Sequence, residues 1–462
     1  METLLVANTS RSRENTSGRA TIDRSGPATS PSLDAHVNIP DQPGEGLGND
    51  EACELSAPAT TSSTLAQAPQ FTVNNESLLS SLPLSLPGSH ITQAYMDHLR
   101  NDSFQRLSRM QAFTPMPHTM EIFTIVEIYL EETNAFLPIF HPRSLRLLCQ
   151  RGAMRESPDP LWWTCMNVIL ATTTQSRSTD DAFSKVSEFS WAFFKNAFSV
   201  YDDIITSEPS ILGLQVLLAM VIFVGRTSDL KLALLLSSTC VHKARALGLN
   251  DQSQVSGVSH EETQQRMRLI WITFILDTVM RTKAGQPLIL RAEDITTGAP
   301  EQSPADQLGC YNIPGTDQTV NVLNLMIQIT VIRSSVYNYL KTSTPETLYS
   351  STTQDYIASI QSQISIWTEA LPIDYRPEGT SMTLDLSILV LHLAYYDCVA
   401  LVCTLIHKSA ASQESVTVDS AGSPSLRAES IETQKQRAHL SRCILDLSRS
   451  CDAIPFVYLW SV

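Results

Sequence analysis

Hydrophobic residues recur at helical spacing from about residue 118 onward and predict a series of consecutive helices. In the first of them, one helical face carries Ile122, Ile125, Tyr129 and Leu130. Pro138 is predicted to end this helix, and Pro142 to open the next at its first position. Since no stretch shows the regular period-two alternation of a sheet, the pattern predicts an all-α, multi-helix domain.

The same pattern predicts further helices down the chain. They are expected at 160–175, 181–205, 211–224, 228–250, 259–285, 319–341, 354–371, 382–408 and 430–453. A Pro/Gly-rich loop is predicted at 298–317, and Pro209 is expected to break the chain after the aromatic-rich helix.

Two of these helices carry start and stop signals. Ser228 is predicted to cap the first, which Gly248 would end in a left-handed conformation. Ser259 and Glu262 form a capping-box pattern at the start of the second, and Gly285 is expected to close it. These signals place both helix ends to within a few residues.

The composition divides the chain into parts. Residues 1–90 are rich in Ser, Thr, Pro and Gly and poor in aromatics, so they cannot bury enough apolar surface to offset their ordering entropy. We therefore expect a disordered tail at 1–90 and a helical domain at 118–462, with a polar linker at about 410–430.

Charge and cysteine content exclude several classes of function. The formal net charge is −15, and a chain this acidic is not expected to bind nucleic acid as a whole. The nine cysteines form no CxxC pair and fall mostly within apolar segments. They indicate reduced, buried thiols, with neither a disulfide framework nor a metal site.

One apolar stretch is long enough to cross a membrane. It covers residues 386–406, but Asp397 lies near its centre, where an acid costs about 2.5–3.5 kcal/mol on insertion. The apolar run 211–224 is too short to span. We therefore predict two buried helices and no membrane association.

Three pairs of side chains have residue types that occur in reactive sites, but their spacing does not support one. Asp202 and Asp203 lack the further carboxylates that a helical magnesium site requires. Cys240 and His242 lie two residues apart on a helix and point away from each other. His392 and Asp397 share a helix without sharing a face.

Sequence motifs for catalysis are also missing, because the chain has no GxGxxG, P-loop, GxSxG or HExxH pattern. We predict no enzymatic activity, no catalytic, cofactor-binding or metal-binding residue and no cofactor.

Basic residues border the helix at 259–285. They are Arg266, Arg268, Arg281 and Lys283. Arg281 lies four residues beyond Asp277, a spacing that suits an ion pair within one helix. We predict structural pairing for these residues, without a nucleic-acid groove.

The region 228–300 closely resembles the middle homology region of fungal zinc-cluster transcription factors. The resemblance rests on a Leu-Gly-Leu helix end, an Arg and Trp followed by an aromatic residue and an Asp, a Gly-x-Pro turn, and a final Asp and Pro. The matching positions are Leu247, Gly248, Leu249, Arg268, Trp271, Phe274, Asp277, Gly285, Pro287, Asp294 and Pro300. Gln286 stands where that family usually has Arg.

Upstream, the segment YLEETNAFLPIFHPRSL is similar to the opening segment of the same family. Its matching positions are Tyr129, Asn134, Pro138, His141 and Pro142. With a later helix near 390–407, the resemblance covers roughly residues 118–410. All of these positions have the chemistry of architectural residues.

The resemblance implies a fungal, nuclear transcriptional regulator or co-regulator that controls a metabolic or biosynthetic gene set. Its expected partners are other transcription regulators or the transcription machinery, and a small-molecule effector is left open. The family's DNA-binding module needs six cysteines around two zinc ions, but only Cys53 precedes Cys149. DNA would therefore be reached only indirectly, or through a module absent from this chain.

Two other functions stay open. The chain could be a truncated paralogue that acts as a dimerisation partner or inhibitor of a full-length regulator. It could also be an all-α enzyme acting on apolar metabolites, although the necessary nucleophile or convergent acids were not found.

Overall fold

The computed structural model of the protein describes residues 114–153, 159–176, 183–227, 229–255, 257–377 and 385–416, together with Lys435 and Arg442. The expected tail at 1–90 and the predicted helix at 430–453 fall outside these ranges, apart from the two single residues. They therefore stay predictions.

The described chain is mostly helical, which confirms the all-α prediction. Its α-helices, in chain order, are α1 (Thr119–Glu132), α2 (Pro142–Ala153), α3 (Pro160–Ser176), α4 (Phe183–Phe198), α5 (Tyr201–Thr206), α6 (Ile211–Gly225), α7 (Leu230–Ala246), α8 (His260–Lys283), α9 (Val322–Thr342), α10 (Pro345–Leu348), α11 (Ser351–Glu369) and α12 (Leu386–Val416). Single 3-10 turns lie at Gln252–Val255, Ala292–Asp294 and Ile373–Tyr375.

Helix α6 is central because it is hydrophobic on every side. From Leu214 to Val224 its residues are almost wholly inaccessible to solvent, as expected for a helix with no polar face. It packs against α3 and α7, while α8 packs against α7 and α9, and α9 packs against α11 and α12. One continuous hydrophobic core joins these helices.

The predicted ends of α8 are confirmed. Ser259 caps the helix by accepting a hydrogen bond from the backbone N–H of Glu262 at 3.2 Å. At the other end, Gly285 adopts a left-handed φ of 65°. Nothing lies closer than 3.9 Å to the Cβ that a larger residue would add there, so backbone conformation alone favours glycine.

The start of α7 differs from the prediction. Ser228 lies outside the described residues, and Asp229 caps the helix instead, accepting a hydrogen bond from Leu232 N at 3.0 Å. Serine and aspartate are both favoured at the N-cap position, so the sequence alone does not show which of these two adjacent residues caps the helix.

The segment 181–205 forms two helices where one was predicted. Helix α4 ends at Phe198 and α5 begins at Tyr201, because Val200 has a non-helical ψ of 9°. Neither Gly nor Pro marks this break, and the hydrophobic residues keep their helical spacing across it. The sequence therefore predicts one continuous helix here.

A small hairpin was also missed. Strands β1 (Cys310–Asn312) and β2 (Thr319–Asn321) pair antiparallel, with Tyr311 opposite Val320. Strands of three residues are too short to show alternation. At Gly309 (φ 81°) an added Cβ would come within 2.8 Å of Leu323 Cβ, so a residue without Cβ is required there.

Helix α12 contains the apolar stretch that has the length of a membrane span. Leu386–Ala410 is the one helix of the described residues that passes this test of length and composition. Most of the stretch is buried against other helices, and Asp397 forms an ion pair with Arg333 of α9. Core packing thus accounts for its hydrophobicity.

Candidate functional site

A buried polar network holds the middle of α8 against its neighbours. Asp277, whose side chain is wholly buried, accepts hydrogen bonds from Ser237 Oγ of α7 at 2.7 Å and from Arg281 Nε at 2.8 Å. Arg281 in turn donates to Ser238 Oγ at 2.7 Å and to the carbonyl of Pro287 at 3.2 Å. The predicted Asp277–Arg281 pair is therefore confirmed, and it joins α7, α8 and the turn that follows.

A second buried pair joins α8, α9 and α12. Arg333 contacts Asp397 at 3.2 Å, with both side chains 3% exposed, and donates to Thr282 Oγ1 at 2.8 Å. Lys283 lies close to this pair. Its burial lowers its pKa to about 7, although the charge of Asp397 opposes the shift. These contacts have the form of helix-to-helix ties.

The predicted separation of the sequence pairs also holds. Cys240 is buried whereas His242 is exposed, and burial raises the pKa of the Cys240 thiol well above its usual range. A thiol in that state is a poor nucleophile at neutral pH. Asp202 and Asp203 are exposed in the first turn of the short helix α5.

His392 and Asp397 have different partners. The His392 Nε2–H donates to the carbonyl oxygen of Tyr375 at 2.8 Å, and the ring is fully buried. Because a carbonyl can only accept, Nε2 carries the proton. Burial lowers the pKa of His392, so the neutral form is favoured in the folded chain. Asp397 is held by Arg333 and does not act on this ring.

Among the residues that carry the resemblance, several fix turns. The Asn134 side chain donates to Phe140 O at 2.8 Å and accepts from Phe140 N at 2.9 Å, which closes the corner between α1 and α2. Arg245, just before the Leu-Gly-Leu turn, contacts Asp294 at 2.9 Å. Gln286, which stands where the family usually has Arg, accepts a weak hydrogen bond from Arg281 Nη1 at 3.4 Å.

The arginines of α8 are paired as predicted. Arg266 contacts Glu262 one turn earlier at 3.1 Å. Arg268 donates two hydrogen bonds to Asp306, each 2.7 Å long. Burial alone would raise the pKa of Asp306, but hydrogen bonds from Arg268 and from Leu308 N outweigh it and hold the pKa low. Arg268 therefore fastens the loop after α8 and is not free to meet a phosphate.

A cleft with three walls opens where α8 begins. Its walls are the first turn of α2, the first turns of α8 and the loop segment 301–308, which together enclose about 480 Å³. Two histidine–carboxylate contacts cross it: His141 Nε2 to Glu261 Oε1 at 2.9 Å, and His260 Nε2 to Glu301 Oε1 at 3.2 Å. The cleft thus assembles charged and polar groups from three segments around a concave surface of small-molecule size.

Sequence reasoning did not predict this cleft. Its walls come from three separate segments, of which α2 lies more than a hundred residues before the other two, and only His141, Pro142 and Arg268 were singled out, each as architecture. No local pattern signals such a meeting of loops. Over the same described ranges, no group of three or more His, Cys, Asp or Glu side chains is placed to hold a metal ion.

Comparison with known proteins shows similarity to named fungal regulators. Two ABC-transporter-regulating transcription factors, from Aspergillus oryzae and Aspergillus fumigatus, are each 25% identical over 331 residues, which is 69% of this chain and 36% of theirs. The Fusaridione A cluster transcription factor of Fusarium heterosporum is 23% identical over 367 residues, 78% of this chain and 68% of its own. The chain thus spans about a third of the length of the Aspergillus relatives.

The family assignment follows from one longer match. The family described as fungal specific transcription factor domain matches residues 126–369, from within α1 to the last residue of α11. The match includes the Asp277–Arg281 network and both sides of the cleft. On this match, over more than half of its length, the chain belongs to the fungal specific transcription factor domain family.

Proposed function

We propose that this chain regulates transcription in the nucleus of a fungal cell through its helical domain and catalyses no reaction. The match of residues 126–369 to the family carries the proposal. It is supported by the buried charges of α8 and α9, which pair with other residues of the same domain. The domain would act by contacting other regulators or the transcription machinery.

We further propose a metabolic or biosynthetic gene set as its target. The relatives are named for the regulation of an ABC transporter, for the fusaridione A cluster and, in Emericella nidulans, for activation of quinic acid utilization. This support comes from the relatives alone.

The route to DNA is proposed to be indirect. Only one cysteine precedes Cys149, whereas a two-zinc cluster takes six, and the chain carries a net charge of −15. A partner protein, or a module outside this sequence, would supply base recognition. In a gel-shift titration the purified chain should bind DNA weakly and without sequence preference. Tight, sequence-dependent binding would overturn this part of the proposal.

A reporter assay tests the regulatory role. The chain is fused to a heterologous DNA-binding domain and expressed in a fungal cell with a reporter behind the matching operator. We expect the fusion to change reporter output several-fold relative to the DNA-binding domain alone. The same fusion with Asp277→Asn, which breaks the buried network, should lose the effect. Equal output from the intact fusion and the bare DNA-binding domain would contradict the proposal.

A second role, as dimerisation partner or inhibitor of a full-length regulator, is favoured by the single cysteine before residue 149. It predicts that the tagged chain co-purifies with a zinc-cluster protein and that overexpression lowers the output of that regulator's promoters. A chain that activates as a fusion and recovers no such partner would favour the first role.

A further inference from the structure

The cleft at the start of α8 is preformed. Its loop wall is tied to α8 by the Trp271 indole N–H, which donates to Gly298 O, and by Gln264 Oε1, which accepts from Glu301 N at 3.0 Å. Asn324 of α9 donates to the carbonyls of Pro300 and Glu301 at 3.1 and 3.2 Å. Because two long helices fix this wall, a ligand would not have to order it.

One cation in the cleft has no counter-charge. Arg143, in the first turn of α2, is exposed and makes no ion pair with any residue of the described ranges. It lies two residues after His141, which contacts Glu261, and both Arg143 and Glu261 line the cleft. The first-turn amides of α2 add a partial positive charge there.

Each of the two exposed carboxylates in the cleft contacts a histidine through only one of its two oxygens. Glu261 and Glu301 each contact a histidine through Oε1, and their side chains are 64% and 43% exposed. No contact to the second oxygen of either group is found among the described residues. Each can therefore accept hydrogen bonds from a cationic donor without losing its histidine.

The charge balance decides which kind of ligand fits. The lining carries two arginines, Arg143 and Arg268, and three carboxylates, so the carboxylates outnumber the guanidinium groups by one. This balance disfavours a simple anion, while the unpaired guanidinium disfavours a simple amine. A molecule that carries both an ammonium and a carboxylate satisfies both groups. Pro142, Pro304 and Leu308 leave an apolar part of the lining for its remainder.

We propose that this cleft binds a small zwitterion of the amino-acid type with an apolar side chain. Its carboxylate would pair with Arg143, its ammonium with Glu261 and Glu301, and its side chain would lie on the prolines and Leu308. The idea that such binding controls transcription rests on the proposed function, but the binding itself does not.

Titration calorimetry on the purified full chain tests the ligand class. The probes are valine, leucine and phenylalanine, compared with the analogues of leucine that lack one charge, 4-methylpentanoate and 3-methylbutylamine. We expect saturable binding of at least one amino acid, and binding about tenfold or more weaker for the analogues, since each leaves one charged group unpaired. Failure of all three amino acids to bind, or equal binding of 4-methylpentanoate, overturns the proposal.

Matched variants locate the site. Arg143→Gln should weaken amino-acid binding about tenfold, whereas Arg151→Gln, an exposed arginine in the last turn of the same helix, should leave it unchanged. Glu261→Gln retains a hydrogen-bond acceptor for His141 but removes the negative charge of the side chain. Glu262→Gln, at the neighbouring position, is the control, because Glu262 pairs with Arg266 outside the cleft. Equal effects within either pair would place the ligand elsewhere.

The binding and reporter experiments fail independently. Amino-acid binding together with a silent reporter fusion would support the binding site and reject the proposed function. An active fusion that binds none of the three amino acids would support the proposed function and reject the binding site. Thermal unfolding of each variant confirms that lost binding is not lost folding.

Discussion

Asp277 accepts three hydrogen bonds, one of which belongs to an ion pair, on a single carboxylate that water does not reach. Ser237, Arg281 and the backbone N–H of Leu290 all donate to it. Removing one partner of such a pair costs more than the pair itself contributes, because the remaining charge stays buried without compensation. The residue was recognised from its spacing to Arg281, but its contacts to α7 and to Leu290 depend on the tertiary fold.

Replacing Asp277 with Asn should therefore destabilise the domain by about 3 kcal/mol, since the Arg281 guanidinium loses its counter-charge in a buried site. Urea denaturation followed by circular dichroism measures this change. Asp202→Asn, at an exposed position on α5, is the control and should change stability by less than about 0.5 kcal/mol. Equal stabilities for the two variants would contradict a structural role for the network.

His392 should make the stability sensitive to mild acid. Burial lowers its pKa in the folded chain, so below about pH 6.5 the unfolded chain binds a proton that the folded chain does not. Stability from this group is complete above that pH and is lost as the pH falls through it, by at most about 1.4 kcal/mol per pH unit.

The variant His392→Gln retains a donor for Tyr375 O but does not titrate. Its free energy of unfolding should fall less than that of the wild type between pH 7.5 and 5.5. His242→Gln, at an exposed site, should retain the wild-type slope. If the His392 variant also kept that slope, the buried neutral ring would not be the source of the sensitivity.

At the level of elements, helix ends were predictable where side chains carry a capping signal. Ser259 and Gly285 bound α8 as expected, because capping chemistry acts within a few residues of sequence. The break at Val200 and the 310–321 hairpin were not predictable. Tertiary packing sets the first, and the second is too short to show a period.

The left-handed turn after α8 gives a prediction for its glycine. Gly285→Ala should cost about 1 kcal/mol from backbone strain alone, because nothing nearby obstructs the added methyl group. Gly285→Asn should cost less, since asparagine tolerates this conformation better. Thermal melting of both variants checks the order. An alanine variant as stable as the wild type would mean that the turn relaxes.

At the scale of the whole molecule, composition predicts that the tail contributes little to folding. Residues 1–90 have too few apolar side chains to build a core. Deleting them should leave the midpoint of thermal unfolding within about a degree of the full chain, as measured by scanning calorimetry. A large drop in the midpoint would show that the tail packs on the domain.

The class of the fold was readable from the sequence because helical periodicity recurs in nearly every segment, whereas the cleft was not. Arg143, Glu261 and Glu301 meet only after the chain has folded, and each alone resembles an ordinary surface charge. Candidate sites of this kind depend on long-range assembly, and local patterns do not record it.

The length of helix α8 has a mechanical consequence. It is 24 residues long, or about 36 Å from end to end, with the cleft at its first turn and the Lys283 region at its last. An α-helix of this length moves as one body, so a displacement of its first turns at the cleft would shift its last turn, beside the buried Arg333–Asp397 pair. Ligand binding in the cleft would thus act on the contacts between α8 and α9 without any change of rotamer along the helix.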